Sequence, residues 1–176
     1  MRVPRLVSMM LVALVAAAGC STAKTASPVA GAPAAPAVTT VAVPQALAFT
    51  GTTLDGAGFD AASLAGKPAL LWFWAPWCAT CASEAQSVAD LHEEYGDRLG
   101  ILGVGGLGTL DAMKEFVTEM QVGAVPHISD PAGKIWQRFG IAQQSWYVFV
   151  DANGTITHRG YLDDLQLTQK VKEFAA

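Results

Sequence analysis

The sequence predicts an α/β domain, a mixed sheet sandwiched between helices, and three observations carry that expectation. Ala69–Trp74 and Ile101–Val104 are continuous apolar runs, the pattern of strands covered on both faces. Helix-period stretches separate the strands: Cys78–Tyr95 repeats Val88, Leu91 and Tyr95, and Asp111–Met120 sets Met113, Phe116, Val117 and Met120 on one face. Asp151-Ala152-Asn153-Gly154 ahead of a β-branched run predicts a terminal antiparallel hairpin.

The elements follow in order. Leu47–Thr53 alternates as a half-buried strand and ends in the turn signal Asp55-Gly56. Phe59, a short turn at Ala61–Leu64 and Gly66-Lys67-Pro68 lead into the apolar strand, which Pro76 stops. The first helix closes at Gly96. Gly103 to Gly108 lacks both the Lys-Ser/Thr of a phosphate loop and the acidic ribose partner of a dinucleotide unit, so it reads as a flexible loop after a strand. Pro126-His127-Ile128 reads as a short extended segment at a sheet edge. Asp130–Gly133 is a turn and Lys134–Phe139 a short helix. Trp146–Val150 and Thr155–Arg159 form the hairpin, and Leu165–Phe174 is a closing helix.

Composition bounds the function. The chain has 176 residues, 52% hydrophobic and 15% charged, with net charge −4. That excludes a disordered acidic protein, and the absence of a basic cluster argues against nucleic-acid binding. There is no internal repeat. Residues 1–20 read as an export signal: Arg2 and Arg5, then an apolar run from Leu6 to Ala18 too short to span a bilayer, then small residues. Ala16-Ala17-Ala18 suits ordinary cleavage. Ala17-Ala18-Gly19-Cys20 resembles a bacterial lipoprotein box, although Ala17 stands where Leu is usual. Cysteine arithmetic favours lipidation of Cys20, since an exported protein seldom keeps an unpaired exposed thiol. Residues 21–45 form a linker of mostly Ala, Pro, Val, Thr and Ser, with Lys24 its single charge, which cannot bury a face. The domain at 46–176 holds all fifteen acidic residues against eight Lys/Arg.

Trp77-Cys78-Ala79-Thr80-Cys81 lies where the apolar strand meets the first helix. The spacing puts both sulfurs on one side of the first turn, close enough to bridge. The free amides and dipole of the helix start favour a thiolate at Cys78 and lower its pKa. Only the thiolate attacks disulfides, so Cys78 is expected to attack and Cys81, one turn in and less exposed, to resolve. A structural role gains little from so short a loop. Half a zinc site lacks its second half, because His92, His127 and His158 are scattered and expected at the surface or in turns.

Phe73-Trp74-Ala75-Pro76-Trp77-Cys78-Ala79-Thr80-Cys81-Ala82-Ser83-Glu84 resembles the active-site segment of thioredoxin-fold proteins. With Gly66-Lys67-Pro68 it is similar to the TlpA-like exported branch, and within it to the actinobacterial secreted DsbE/DsbF group. Pro126, Asp130, Gly133, Phe139-Gly140-Ile141, Val148–Gly154 and Gly160 extend the resemblance over the whole domain. It implies a thioredoxin-like three-layer sandwich and thiol–disulfide exchange, with no organic cofactor beyond the redox-active Cys78–Cys81 pair. Trp77 is expected to flank the site as an exposed apolar contact for substrates. Trp72 and Trp74 are expected in the core. Glu84 matches an acidic position common in the branch; it either assists the dithiol or is a solvated helix residue.

Three positions depart from the pattern. Ser145 stands where the family has a cis-proline facing the cysteines, and a non-proline cis bond costs about 2.5–4 kcal/mol, which favours a trans bond and a reshaped substrate loop. Trp72 replaces the buried Asp of thioredoxins. Gln86 replaces a helix-kinking proline. The expected activity is oxidation of exported proteins outside the cytoplasmic membrane. The alternative is reduction of particular exported thiol proteins or of cytochrome c maturation partners. A copper-binding protein is disfavoured by the two-residue spacing, and a non-catalytic lipoprotein is made thinkable by Ser145. Expected partners are exported protein thiols or disulfides, an unidentified membrane redox protein, and the membrane itself through Cys20.

Overall fold

The computed structural model describes residues 43–176, so the export signal, Cys20 and nearly all of the 21–45 linker lie outside the described residues. A 3-10 turn at Gln45–Leu47 precedes β1 (Thr50–Thr53) and β2 (Gly58–Asp60), and a second turn at Ala61–Leu64 leads to β3 (Ala69–Trp74). Then follow α1 (Ala79–Tyr95), β4 (Gly100–Gly106), α2 (Leu110–Glu119), β5 (His127–Asp130), α3 (Lys134–Arg138), β6 (Trp146–Val150), β7 (Ile156–Gly160) and α4 (Asp164–Phe174). The strands make one mixed sheet in the order β2-β1-β5-β4-β3-β6-β7. β3 runs parallel to β4 and antiparallel to β6, with Phe73 opposite Val104 and Trp146. Among the described residues no helix is long and apolar enough to cross a membrane.

β3 explains the layering. All six of its residues are buried. Because side chains alternate along a strand, Leu70, Trp72 and Trp74 join one core with Val88, Met113, Phe116 and Leu167 from α1, α2 and α4. Leu71 and Phe73 join a second core with Ile135, Trp136 and Phe139 from α3 and its end. Helices therefore cover both faces, the sandwich expected from the sequence.

Three expectations are corrected. Leu47 is not in a strand: its N–H donates to Pro44 O at 2.9 Å in a turn that buries it in the second core, and the strand starts at Thr50. His127–Asp130 is not an edge. It lies between β1 and β4, because the N-terminal hairpin, whose second strand at Phe59 was not foreseen, folds back to pair Thr53 with Ile128. The buried strand that takes in Ile101–Val104 runs on through Gly105 and Gly106, which were expected in the loop. Its missing side chains make room for aromatic rings: a Cβ on Gly106 would lie 2.6 Å from the Trp136 ring, and one on Gly105 3.0 Å from that of Trp74.

The short helix α3 is set by a buried carboxylate. Asp130 accepts from the backbone N–H groups of Lys134 through Oδ1 and of Ile135 and Trp136 through Oδ2, at 2.8–2.9 Å. Gly133, at φ 65, makes the left-handed turn that brings the helix start back over that carboxylate.

Candidate active site

The site begins where β3 leaves the core. Ala75-Pro76-Trp77 carries the chain to Cys78, whose extended backbone (φ −86, ψ 107) makes it the N-cap of α1. Cys78 N–H donates to Ala75 O at 3.1 Å, and Cys78 Sγ accepts from Cys81 N–H at 3.0 Å. The sulfur thus occupies the place of a capping oxygen, where the first-turn amides and the positive end of the helix dipole converge. Cys78 and Cys81 are joined by a disulfide with a Cα separation of 5.2 Å. Cys78 is 5% exposed and Cys81 fully buried, the order expected of an attacking and a resolving sulfur.

Trp77 is 60% exposed, and its Nε1–H donates to Leu107 O at 2.7 Å. Leu107 adopts a left-handed conformation (φ 54) in the bend after β4. The indole is therefore held at the rim, as expected. On the other side of Cys78 lies an open groove of about 310 Å³ lined by Thr80, Gln143, Gln144, Ser145 and Tyr161. Gln143, Gln144 and Ser145 line it together with Cys78, so the loop reaches the cysteines even though Ser145 replaces proline. Among the described residues no peptide bond is cis, and Ser145 sits at φ 61 with its N–H donated to Phe73 O at 2.8 Å.

Glu84 corrects the solvated alternative. One turn beyond Cys81, it is 3% exposed and points into the protein. Ser145 Oγ–H and Tyr147 Oη–H, the latter at 2.9 Å, both donate to its Oε2. Its Oε1 is buried without a hydrogen-bond partner. Burial raises the Glu84 pKa, the two hydroxyl donors oppose that rise, and nearby Asp164 adds to it. Burial, followed by the charge of Glu84, pushes Tyr147 above the ordinary phenol range, so its hydroxyl remains a donor. In the sequence Tyr147 stands only as a member of an apolar strand, and no spacing marks it: Ser145 precedes β6 with a left-handed backbone, so strand alternation does not relate the two.

Trp72 is fully buried against Trp74, Phe116 and His127, in the same core as Cys78 and Cys81. Gln86 lies within an uninterrupted α1 and donates to Asp90 at 2.6 Å. His127 is not at the surface: it is buried, accepting at Nδ1 from Trp74 Nε1–H at 3.2 Å, with Nε2 3.1 Å from Val122 O. Among the described residues no group of three His, Cys, Asp or Glu side chains is placed to hold a metal ion. Cys20 lies outside the described residues.

This arrangement can hold one sulfur as a thiolate at a helix end, close it onto a buried neighbour, and keep a buried carboxyl group one helical turn beyond the pair. Known proteins carry the same framework. The AhpC/TSA family matches residues 43–159. The soluble secreted antigen MPT53 of Mycobacterium tuberculosis is 40% identical over 117 residues, covering 66% of each chain. The chain therefore spans just under two thirds of that curated relative's length. Among solved structures, MTB DsbF in its mixed oxidized and reduced forms is similar with a TM-score of 0.70 and 41% identity, covering 76% of this chain and 99% of that one. A secreted Mycobacterium tuberculosis disulfide oxidoreductase homologous to E. coli DsbE has a TM-score of 0.66 and 36% identity, covering 73% and 97%.

Proposed function

The chain belongs to the AhpC/TSA family, with a thioredoxin-like fold, and from that premise we propose that it is an extracytoplasmic thiol–disulfide oxidoreductase that oxidises exported proteins. One observation carries the reading: Cys78 Sγ caps α1 at the floor of an open groove and is bonded to a fully buried Cys81. A substrate thiolate in the groove attacks Cys78 Sγ. The Cys78–Cys81 bond breaks, and its electron pair leaves on Cys81. A second substrate thiolate then attacks the substrate sulfur of the mixed disulfide. The substrate leaves oxidised, and Cys78 leaves as a thiolate. The helix end stabilises that thiolate and with it the reduced enzyme, which makes the disulfide more oxidising.

The exposed Trp77 offers apolar contact beside the exchange, and the amides and hydroxyls of Thr80, Gln143, Gln144 and Tyr161 offer polar contact across it. The apolar start of the chain and the secreted relatives support a location outside the cytoplasmic membrane, tethered through lipid on Cys20. Regeneration of the disulfide falls to a membrane redox protein.

The test is the reduction potential of the Cys78–Cys81 couple, with oxidation of a reduced, unfolded protein measured in parallel. The expected couple is more oxidising than thioredoxin's ~ −270 mV. Cys81→Ala should trap mixed disulfides on Cys78, and Cys78→Ala should abolish exchange. A thioredoxin-like potential with no oxidation of the unfolded protein would make the chain a reductase instead.

A further inference from the structure

We propose that Ser145 is a positioning residue for exchange: together with Tyr147 it pins Oε2 of Glu84, leaving Oε1 as the oxygen that carries the Cys81 proton. The inference rests on the oxidoreductase reading and adds to it the part played by the residue at position 145. Serine there does two things a proline could not. Its N–H donates to Phe73 O at 2.8 Å, which ties the groove wall to the end of β3. Its hydroxyl donates to Glu84, sixty-one positions away in the chain. Ser145 is 2% exposed, so that hydroxyl has no solvent partner to choose instead. It makes these bonds from a left-handed backbone (φ 61) that side-chain-bearing residues seldom adopt.

The disposition of the two donors is the informative feature. Ser145 and Tyr147 both reach the same carboxyl oxygen, and Oε1 is left buried with no partner. A charged carboxylate so placed has one well-solvated oxygen and one unsolvated one, a costly state. A proton on Oε1 removes the buried charge, the larger part of that cost. Glu84 stands three residues after Cys81, one turn deeper on the same side of α1. The fully buried Cys81 needs a nearby group for its proton. The groups around Glu84 are Ser145 just before β6, Tyr147 in β6, Tyr161 after β7 and Asp164 at the start of α4, with Cys81 one turn before it on α1. None of these is a cation. The two hydroxyls are thus what stabilises the carboxylate form.

The step balances in both directions. When Cys81 leaves as a thiolate, Oε1–H gives it a proton, and Glu84 becomes a carboxylate held by two hydroxyl donors. When the dithiol is re-oxidised, Cys81 returns that proton to Oε1 as its sulfur attacks.

The test uses the full chain with Ser145→Gly, which tolerates the left-handed backbone, Ser145→Ala, Tyr147→Phe and Glu84→Gln. Two readouts are followed against pH: the rate of exchange with a reduced dithiol, and the ultraviolet absorbance of the Cys81 thiolate in the reduced protein. Losing a donor to the carboxylate raises its proton affinity. Ser145→Gly and Ser145→Ala should therefore both move the Glu84-dependent limb upward by about one pH unit, and Tyr147→Phe should do the same. Glu84→Gln should remove the limb, and adding Ser145→Gly to it should shift nothing further. If both Ser145 variants change the rate at every pH equally and leave the limb where it is, Ser145 is only structural and the proposal is wrong. A limb that survives Glu84→Gln overturns it as well. Wild-type protein that exchanges with no dithiol at any pH overturns the oxidoreductase reading, a result distinct from an active enzyme with an unmoved limb.

Discussion

His127 sits between two groups that dictate its tautomer. Trp74 donates to Nδ1, so the ring proton is on Nε2, which donates to Val122 O. A second proton on Nδ1 would face the indole N–H head-on. Burial, opposed in part by the Val122 bond and aided by His92, holds the His127 pKa down at about 4. The unfolded chain binds that proton near the ordinary 6.5. Between those values the unfolded state carries more protons, so stability is whole above about 6.5 and falls as pH drops toward 4. The most this can cost is about 3 kcal/mol. Glu84 has the opposite sign: its raised pKa contributes below the ordinary 4.5 and fades as pH rises past it. Urea unfolding at pH 7, 5.5 and 4.5 should show a progressive loss, and His127→Gln should flatten it. An equally steep loss in that variant would mean another group is responsible. A lone histidine in the sequence does not announce this role; it depends on a glycine opposite and an indole alongside.

At the scale of elements, β4 is a strand that works through absence. Glycine is poor in strand interiors because it loses entropy and packs nothing. Here Gly103, Gly105 and Gly106 lie beneath His127, Trp74 and Trp136, and each extra carbon would meet a ring. Gly103→Ala is expected to destabilise the fold by roughly 1–3 kcal/mol through overpacking, read as a lower denaturation midpoint. Gly58→Ala is the control, since the edge strand β2 leaves open space there, and it should be neutral or slightly stabilising. Equal effects at the two positions would refute the packing account. Composition alone makes a glycine-rich stretch look like a loop, because the rings that occupy its surface come from β3, β5 and α3.

For the molecule as a whole, the expected tether separates chemistry from location. The family match begins at residue 43, and the lipid proposed on Cys20 lies ahead of it. Its Ala/Pro-rich composition suits a spacer between a lipid on Cys20 and the domain. Cys20→Ala is expected to release the protein into the medium with thiol–disulfide exchange unchanged, measured by cell fractionation and a dithiol assay on each fraction. Continued membrane association of that variant would rule out the anchor.

The sequence by itself determined the redox pair and its setting. An apolar strand, a proline stop and Cys-x-x-Cys at a helix start are local features, governed by backbone period and capping within a dozen residues, and they place Cys78, Cys81 and the exposed Trp77. The order of the helices and the terminal hairpin were legible for the same reason. Only the tertiary structure decided that β5 is interior, that the glycine run is strand, and that Glu84, Ser145 and Tyr147 meet at one carboxyl oxygen. Those outcomes depend on which distant segments pair across the sheet. A polar residue's burial and partners are set by that pairing, and neither its own type nor its neighbours in the chain encode it.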